Sequence, residues 1–175
     1  MERRLHEVRG LRSSTERVAE TLLADPARVF GTPAGCAGRY HAEIVVDMGG
    51  GSSVHQVVVL EIGPLDRETG HLRCPLTWTP VGRQRVLPRF EGTLEVTEDR
   101  DGSAMSLTGS YRPPLGAVGA VGDAVAGRHV AQQSVGAFAD ELARRVEVAV
   151  DRAQSSGWRP APYASDLRPA THRFG

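Results

Sequence analysis

The chain has 175 residues, a length that suits one domain with its own hydrophobic core. Its 21 basic and 21 acidic residues balance, so there is no strong net charge of the kind that recruits nucleic acid or an anionic membrane. No stretch approaches the ~18 apolar residues of a membrane span, and the charged segment Met1 to Leu11 lacks the apolar core of a secretion signal. We therefore expect a cytoplasmic protein with no membrane span and no nucleic-acid partner.

The chain begins with a predicted strand and helix. Partial alternation of apolar residues predicts the strand over Leu5 to Arg12. Ser13 and Glu16 have the spacing of a capping box, in which each side chain bonds the backbone of the other residue at a helix start. The apolar residues that follow predict a first helix that ends near Ala24.

A second short helix follows at once. Asp25 and Pro26 supply an N-cap and a proline at the first helical position, and Phe30 with Gly31 ends the helix. The glycine-rich segment Gly31 to Gly38 then predicts a loop. Two short helices in tandem therefore separate the first strand from the rest of the chain.

From Arg39 to Tyr111 the sequence predicts four consecutive hairpins of one antiparallel sheet. Each register follows from the pairing that sets apolar residues opposite apolar residues. All four agree on one apolar and one polar face, and this agreement supports the sheet more strongly than any single strand does. The predicted pairs are Ala42 with Val58, Ile44 with Gln56 and Val46 with Val54; Leu60 with Cys74, Val58 with Leu76 and Gln56 with Trp78; Trp78 with Phe90, Cys74 with Leu94 and Leu72 with Val96; and Leu94 with Leu107, Val96 with Met105, Gly92 with Gly109 and Phe90 with Tyr111.

One long amphipathic helix is predicted over about Ala117 to Ala153, with its start between Ala117 and Asp123. It has no partner helix of comparable length, so we expect the concave face of the sheet to bury its apolar stripe. Its early glycines weaken that end, which we expect to be mobile. The stripe consists of Val121, Val125, Val135, Phe138, Leu142, Val146 and Ala149.

The chain therefore divides into a domain of residues 1–153 and a C-terminal tail of residues 154–175. The tail begins after Ala153 and includes three prolines and several arginines without any apolar periodicity. Such a composition predicts a flexible segment.

This order of elements resembles the START-like helix-grip superfamily (SRPBCC) over nearly all of Leu5 to Ala153. The segment SSTERVAETLLADPARVFG, Ser13 to Gly31, is similar to the opening helix pair of its polyketide cyclase/dehydrase-like branch. Leu107 to Glu147 is similar to the last strand and closing helix of that branch, whereas Thr32 to Gly38 lacks the tryptophan that many members have there. The resemblance implies an α+β helix-grip fold, a curved antiparallel sheet wrapped around a long C-terminal helix, with two short helices after the first strand.

The resemblance also implies an apolar cavity between the sheet and the long helix. On the predicted registers its lining, and thus the candidate ligand-binding set, is Tyr40, Gln56, Trp78, Phe90, Leu94, Tyr111, Val121 and Val125. The same residues suit a filled core equally well. Gln56 needs a polar partner on this apolar face, which is either a backbone or tyrosine group or a ligand.

Motifs for other chemistry are absent from the sequence. It has no P-loop, G-x-S-x-G, H-E-x-x-H or dinucleotide fingerprint. His41 and His55 share a strand face but are offset, so a two-histidine metal site would be strained, and Cys36 and Cys74 lack the spacing of a zinc or redox site. We therefore expect no metal and no cofactor, and no catalytic residue is assigned.

Three functions are compatible with these features. The first is binding of a hydrophobic small molecule (a lipid, an isoprenoid or an aromatic polyketide) by a monomer or homodimer, with the glycine-rich helix end as gate. The second is a cyclase/aromatase-type enzyme, which needs Asp123, Tyr111 or an arginine to transfer protons inside the cavity. The third is a non-catalytic interaction protein with a filled core, whose tail from Trp158 to Phe174 recruits a partner.

Overall fold

The computed structural model describes residues 3–49, 51–82, 87–112 and 124–155. These residues form eight strands of one antiparallel sheet and three helices. In chain order the elements are β1 (Arg3–Leu11), α1 (Thr15–Ala24), α2 (Pro26–Phe30), β2 (Thr32–Pro33), β3 (Arg39–Gly49), β4 (Ser52–Ile62), β5 (Asp66–Glu68), β6 (His71–Pro80), β7 (Arg89–Asp99), β8 (Gly102–Arg112) and α3 (Ala124–Ser155).

The sheet curves around α3. Its strand order is β1-β8-β7-β6-β4-β3-β2, with β5 paired to β6 outside this path. The helix contacts β1 and β3, which lie near opposite edges of the sheet, and it also contacts β8, α1 and α2. A sheet that contacts one helix from both of its edges must wrap around it, which confirms the predicted helix-grip architecture.

Three of the four predicted hairpin registers are confirmed. The pairs of β3 with β4, of β6 with β7 and of β7 with β8 are those that apolar matching predicts. The alternating burial of β4 and β6 also places one face inward and one outward, as expected for a sheet covered on one side.

The predicted register between β4 and β6 is wrong. Leu60 lies opposite Trp78 and not opposite Cys74, a difference of four residues along β6. The cause is β5, which pairs with the first residues of β6 so that Glu68 lies opposite His71. Because the difference is an even number of residues, every side chain keeps its predicted face although its neighbours change.

The start of α1 also differs from the prediction. Its N-cap is Ser14, whose side chain makes no capping hydrogen bond. The hydroxyl of Ser13 instead donates to Oε2 of Glu147 on α3 (3.3 Å), and Oε1 of Glu16 accepts from Nη2 of Arg67 on β5 (3.2 Å). The two residues predicted to form a capping box therefore connect the start of α1 to other elements.

Further differences concern boundaries. The segment predicted as a loop contains β2, which pairs with Tyr40 and His41 of β3. The predicted beginning of the long helix, at residues 117–123, lies outside the described residues, as does most of the predicted tail. Helix α3 ends at Ser155, and the division into domain and tail stays a prediction.

Helix α3 buries the described part of its predicted stripe. The side chains of Val135, Phe138, Leu142, Val146 and Ala149 are 0–6% exposed. Full burial of an aliphatic or aromatic side chain of this kind contributes about 1.5–3 kcal/mol. The stripe therefore accounts for a large part of the attraction between helix and sheet.

Two glycines make room for an aromatic ring on the inner face. Gly92 on β7 lies directly opposite Gly109 on β8, as predicted. A Cβ atom on Gly92 would collide with the carbonyl oxygen of Thr108 and lie 2.7 Å from Cζ of Phe90. The absence of both side chains thus lets the strands approach closely and lets the Phe90 ring lie over them.

We predict that Gly92→Ala lowers the free energy of unfolding by about 1–3 kcal/mol, because the added methyl group overpacks this contact. The matched control is Gly10→Ala on β1, where a Cβ atom would meet nothing within 4 Å. For this control we expect a change within about 0.5 kcal/mol. Urea-induced unfolding measures both values, and equal losses in the two variants would contradict the packing role of Gly92.

Candidate ligand-binding site

A continuous row of large side chains crosses the inner face of five strands. We call it the aromatic row, although one member is aliphatic. Each residue lies opposite the next on the neighbouring strand, and all are 0–8% exposed. Its members, from β3 to β8, are Tyr40, Leu60, Trp78, Phe90 and Tyr111. The row forms an apolar floor beneath α3 with a phenol at each end.

Trp78 is the centre of the aromatic row. Its ring stacks on Phe90, with the ring centroids 4.4 Å apart and the planes at 20°. Phe138 of α3 packs against its ring with centroids 5.0 Å apart. The indole Nε1 donates to the carbonyl of Pro88 (3.0 Å). Because its only polar atom is bonded within the protein, Trp78 presents an apolar surface to its surroundings.

The inward residues of α3 change in size along the helix. Before Phe138 they are the small residues Ala131, Ser134 and Val135, each 0% exposed. The Ser134 hydroxyl donates to the Ala131 carbonyl (2.9 Å), so its polar atom is satisfied within the helix. Between Ala131 and Val135, α3 therefore covers the interior with small side chains.

The described part of the chain places six of the eight predicted ligand-binding residues on the inner face of the sheet. Four belong to the aromatic row. Leu94, which is 2% exposed and opposite Cys74, and Gln56, which is 6% exposed, lie elsewhere on the inner face. Val121 and the side chain of Val125 lie outside the described residues. Ligand binding by this set stays a prediction.

Gln56 has backbone partners, one of the alternatives predicted for it, but its predicted neighbour on β6 is wrong. It lies opposite Ile44 on β3 but not opposite Trp78, because of the different β4–β6 register. Its Nε2 donates to the carbonyl oxygens of Val81 (2.7 Å) and Val57 (3.1 Å). Backbone carbonyl groups are therefore among the polar partners of Gln56. Its amide holds the chain that follows β6 against β4.

The same arrangement of elements occurs in solved structures. Zhui aromatase/cyclase from Streptomyces sp. R1128 has a TM-score of 0.51 to this chain and 15% sequence identity, over 88% of this chain and 96% of its own. Ara h 8.0201 has a TM-score of 0.51 and 16% identity, over 87% and 99% respectively. The chain has the START-like helix-grip fold. No family model matches the sequence, and no curated protein matches it.

Within this helix-grip fold, the described interior holds few groups for acid–base chemistry. No aspartate, glutamate, histidine or arginine is among the buried described residues, so the titratable groups there are the two tyrosines of the aromatic row and a cysteine. Asp123 lies outside the described residues. The buried polar side chains are those of Ser13, Thr15, Thr21, Gln56, Ser103 and Ser134.

Metal and thiol chemistry have equally little support in the described residues. They contain no group of His, Cys, Asp and Glu side chains that could hold a metal ion. Nδ1 of His55 donates to Oε1 of Glu43 on the outer face (3.0 Å). Cys36 and Cys74 are both free, and burial raises the pKa of the Cys74 thiol to about 11.

No helix in the described residues has the length and apolarity required to cross a bilayer.

Polar contacts hold the C-terminal half of α3. Glu147 accepts from the backbone N–H groups of Arg12 (2.7 Å) and Ser13 (3.3 Å) at the end of β1. Arg9 of β1 forms an ion pair with Asp140 and donates to the carbonyl of Gly136 (3.3 Å). These contacts fix one side of the helix to the β1 edge of the sheet.

Glu141 forms a second cluster on α3. It accepts hydrogen bonds from Arg144 (2.8 Å) and Arg145 (2.7 Å). Hydrogen bonding to Arg144, and then to Arg145, lowers the pKa of the Glu141 carboxyl from its ordinary 4.5 to about 2, although burial opposes the change. This depressed pKa makes the cluster sensitive to acid.

We predict that Glu141→Gln causes a small loss of stability at neutral pH, because partly exposed ion pairs contribute little. The folded-state pKa is depressed, so this contribution is present above pH 4.5 and disappears as the pH falls toward about 2. Urea unfolding at several pH values measures the difference between the variant and the native protein. Glu91→Gln on the outer face is the control, and a Glu141→Gln difference that persists unchanged in acid would contradict the prediction.

Proposed function

We propose that this protein is cytoplasmic and that it binds a hydrophobic small molecule between the aromatic row and α3. The observation that carries the proposal is the aromatic row itself, four rings and Leu60 side by side on the inner face, with Phe138 of α3 packed against the central Trp78. A lipid, an isoprenoid or an aromatic polyketide has the required apolar surface. That Zhui, which has the same fold, is an aromatase/cyclase supports the aromatic polyketide as one of these classes.

Binding requires part of α3 to separate from the sheet. The aromatic row is 0–8% exposed, so the described interior is closed. From Phe138 onward α3 is held by large apolar side chains and by Glu147, whereas the described turn before it, Ala131 to Val135, covers the interior with small ones. Separation of that turn therefore loses less packing, and a bound ligand replaces it with its own apolar area, worth about 25 cal/mol per Å².

Binding ranks ahead of catalysis because of the side chains present. Cyclisation of a reactive polyketone needs groups that transfer protons. In the described interior the aromatic row supplies only the phenols of Tyr40 and Tyr111, without a carboxylate or imidazole beside them. The third possibility, a filled core in a protein that acts through other surfaces, becomes an outcome of the test.

A single tryptophan gives a direct reporter of the interior. The chain has two tryptophans, so Trp158→Phe leaves Trp78 alone. In this background we expect a fatty acid, an isoprenoid or a polycyclic aromatic compound to change the Trp78 emission saturably, with one ligand per chain. Native mass spectrometry of the purified protein then identifies any molecule that remains bound. An unchanged emission with all three classes, together with a ligand-free mass, would favour the filled core.

We predict that Phe90→Leu in the same background weakens ligand binding about tenfold, since it removes the ring stacked on Trp78; this corresponds to about 1.4 kcal/mol. Phe90→Leu is used in place of Trp78→Ala, because Trp78→Ala would lower the free energy of unfolding by about 3–5 kcal/mol. Glu95→Gln, on the outer face of β7, is the matched control and should leave the dissociation constant unchanged. Circular dichroism checks the fold of each variant, and equal weakening by both substitutions would refute the site.

A further inference from the structure

A groove lies between β3 and α3 on one side of the molecule, beside the contact that these two elements make. It has two adjoining hollows, of about 490 Å³ and about 510 Å³, which share Val45, Ala137 and Asp140. Ile44 and Phe138 also line the first hollow. The groove therefore reaches from an exposed strand edge to apolar side chains of the interior.

The topology explains why the groove lies on this side. Strand β2 pairs only with Tyr40 and His41, so within the described residues the rest of β3 forms an edge of the sheet. On the opposite side, Arg9 and Glu147 link the β1 edge to α3 through hydrogen bonds. Hydrogen bonds thus anchor the helix along β1, whereas along β3 the helix packs on the strand and leaves the groove beside that contact.

Phe138 separates the groove from the aromatic row. Its side chain lines the first hollow, yet it is only 6% exposed. On its other side its ring packs against Trp78, with the centroids 5.0 Å apart. One aromatic ring therefore forms the wall between the groove and the centre of the candidate site.

We propose that the hydrophobic ligand reaches the aromatic row through this groove, with the ring of Phe138 as the movable wall. The proposal rests on the proposed function. Rotation of the ring into the first hollow exposes Trp78 without detaching α3 from β1, and the adjacent Ala137 leaves space for that rotation. The predicted gate at the glycine-rich beginning of the helix lies outside the described residues and is a separate prediction.

The charges around the groove indicate which molecules pass. Charged side chains form its rim, and the two arginines are both paired with Glu141. A charged ligand would have to leave water beside apolar Ile44 and Phe138, which is unfavourable. The route therefore favours an uncharged apolar molecule. The rim residues of the first hollow are Glu43, Asp140, Glu141, Arg144 and Arg145.

Exchange kinetics of the uncharged fluorescent probe Nile red test the route. Ala137→Trp places an indole in both hollows, outside the aromatic row. We expect association and dissociation each to slow at least about tenfold while the dissociation constant stays within about twofold, because an obstacle on the path raises the barrier without changing the end states. Stopped-flow fluorescence measures both rates.

The matched control is Val148→Trp, which also adds an indole to α3. Val148 is 39% exposed and does not line either hollow. We expect native exchange rates for this variant. Rates in Ala137→Trp equal to those of the control would overturn the route, while leaving ligand binding intact. Failure of Nile red and of the three ligand classes to bind the native protein would instead refute the proposed function itself.

A second variant keeps the test informative if Ala137→Trp fails to fold. Phe138→Leu retains an apolar residue but thins the wall, so both exchange rates should rise at least about threefold. Urea unfolding checks its stability. Unchanged exchange rates in a folded Phe138→Leu protein would show that the ring is not the wall that ligands cross, and would overturn the proposal.

Discussion

The contact between Phe138 and Trp78 is the interaction on which the rest of the structure depends. It joins the helix to the middle of the sheet, where Trp78 is stacked on Phe90 and bonded to the carbonyl of Pro88. The sheet can present this surface because Gly92 and Gly109 leave room for the Phe90 ring. Packing of rings therefore joins the helix to the middle of the sheet, while polar contacts join it to the β1 edge.

The attachment of α3 is asymmetric, and this asymmetry has functional consequences. Along β1 the helix is held by Arg9 and by Glu147, whose carboxylate accepts from backbone groups. Along β3 it faces a groove that leads to Phe138. The interior is closed, one side of the helix is anchored by hydrogen bonds, and the other side faces a groove. This arrangement is compatible with the uptake of an apolar ligand, since the first side of the helix keeps its contacts while the second moves away from the sheet.

Local sequence patterns predicted the fold and most of the inner face. Alternation of apolar residues assigns each strand residue to a face, and three registers follow from matching apolar residues between neighbouring strands. The β4–β6 register could not be predicted in this way, because β5 consists of Asp66, Arg67 and Glu68 and has no apolar residue to match. The pairing of β5 with β6 depends on how the connection between β4 and β6 folds. The alternation of apolar residues carries no information about that connection.

The sequence by itself therefore determined the architecture, the buried stripe of α3 and the aromatic character of the interior, because these depend on periodicity alone. Tertiary structure decided which residues become neighbours. It placed Tyr40 and Leu60 in the aromatic row, gave Gln56 its backbone partners, and brought Ser13 to Glu147, which is distant in sequence. The groove beside Phe138 likewise exists only because β2 is short and α3 is anchored to the other edge, a combination of contacts that no local pattern encodes.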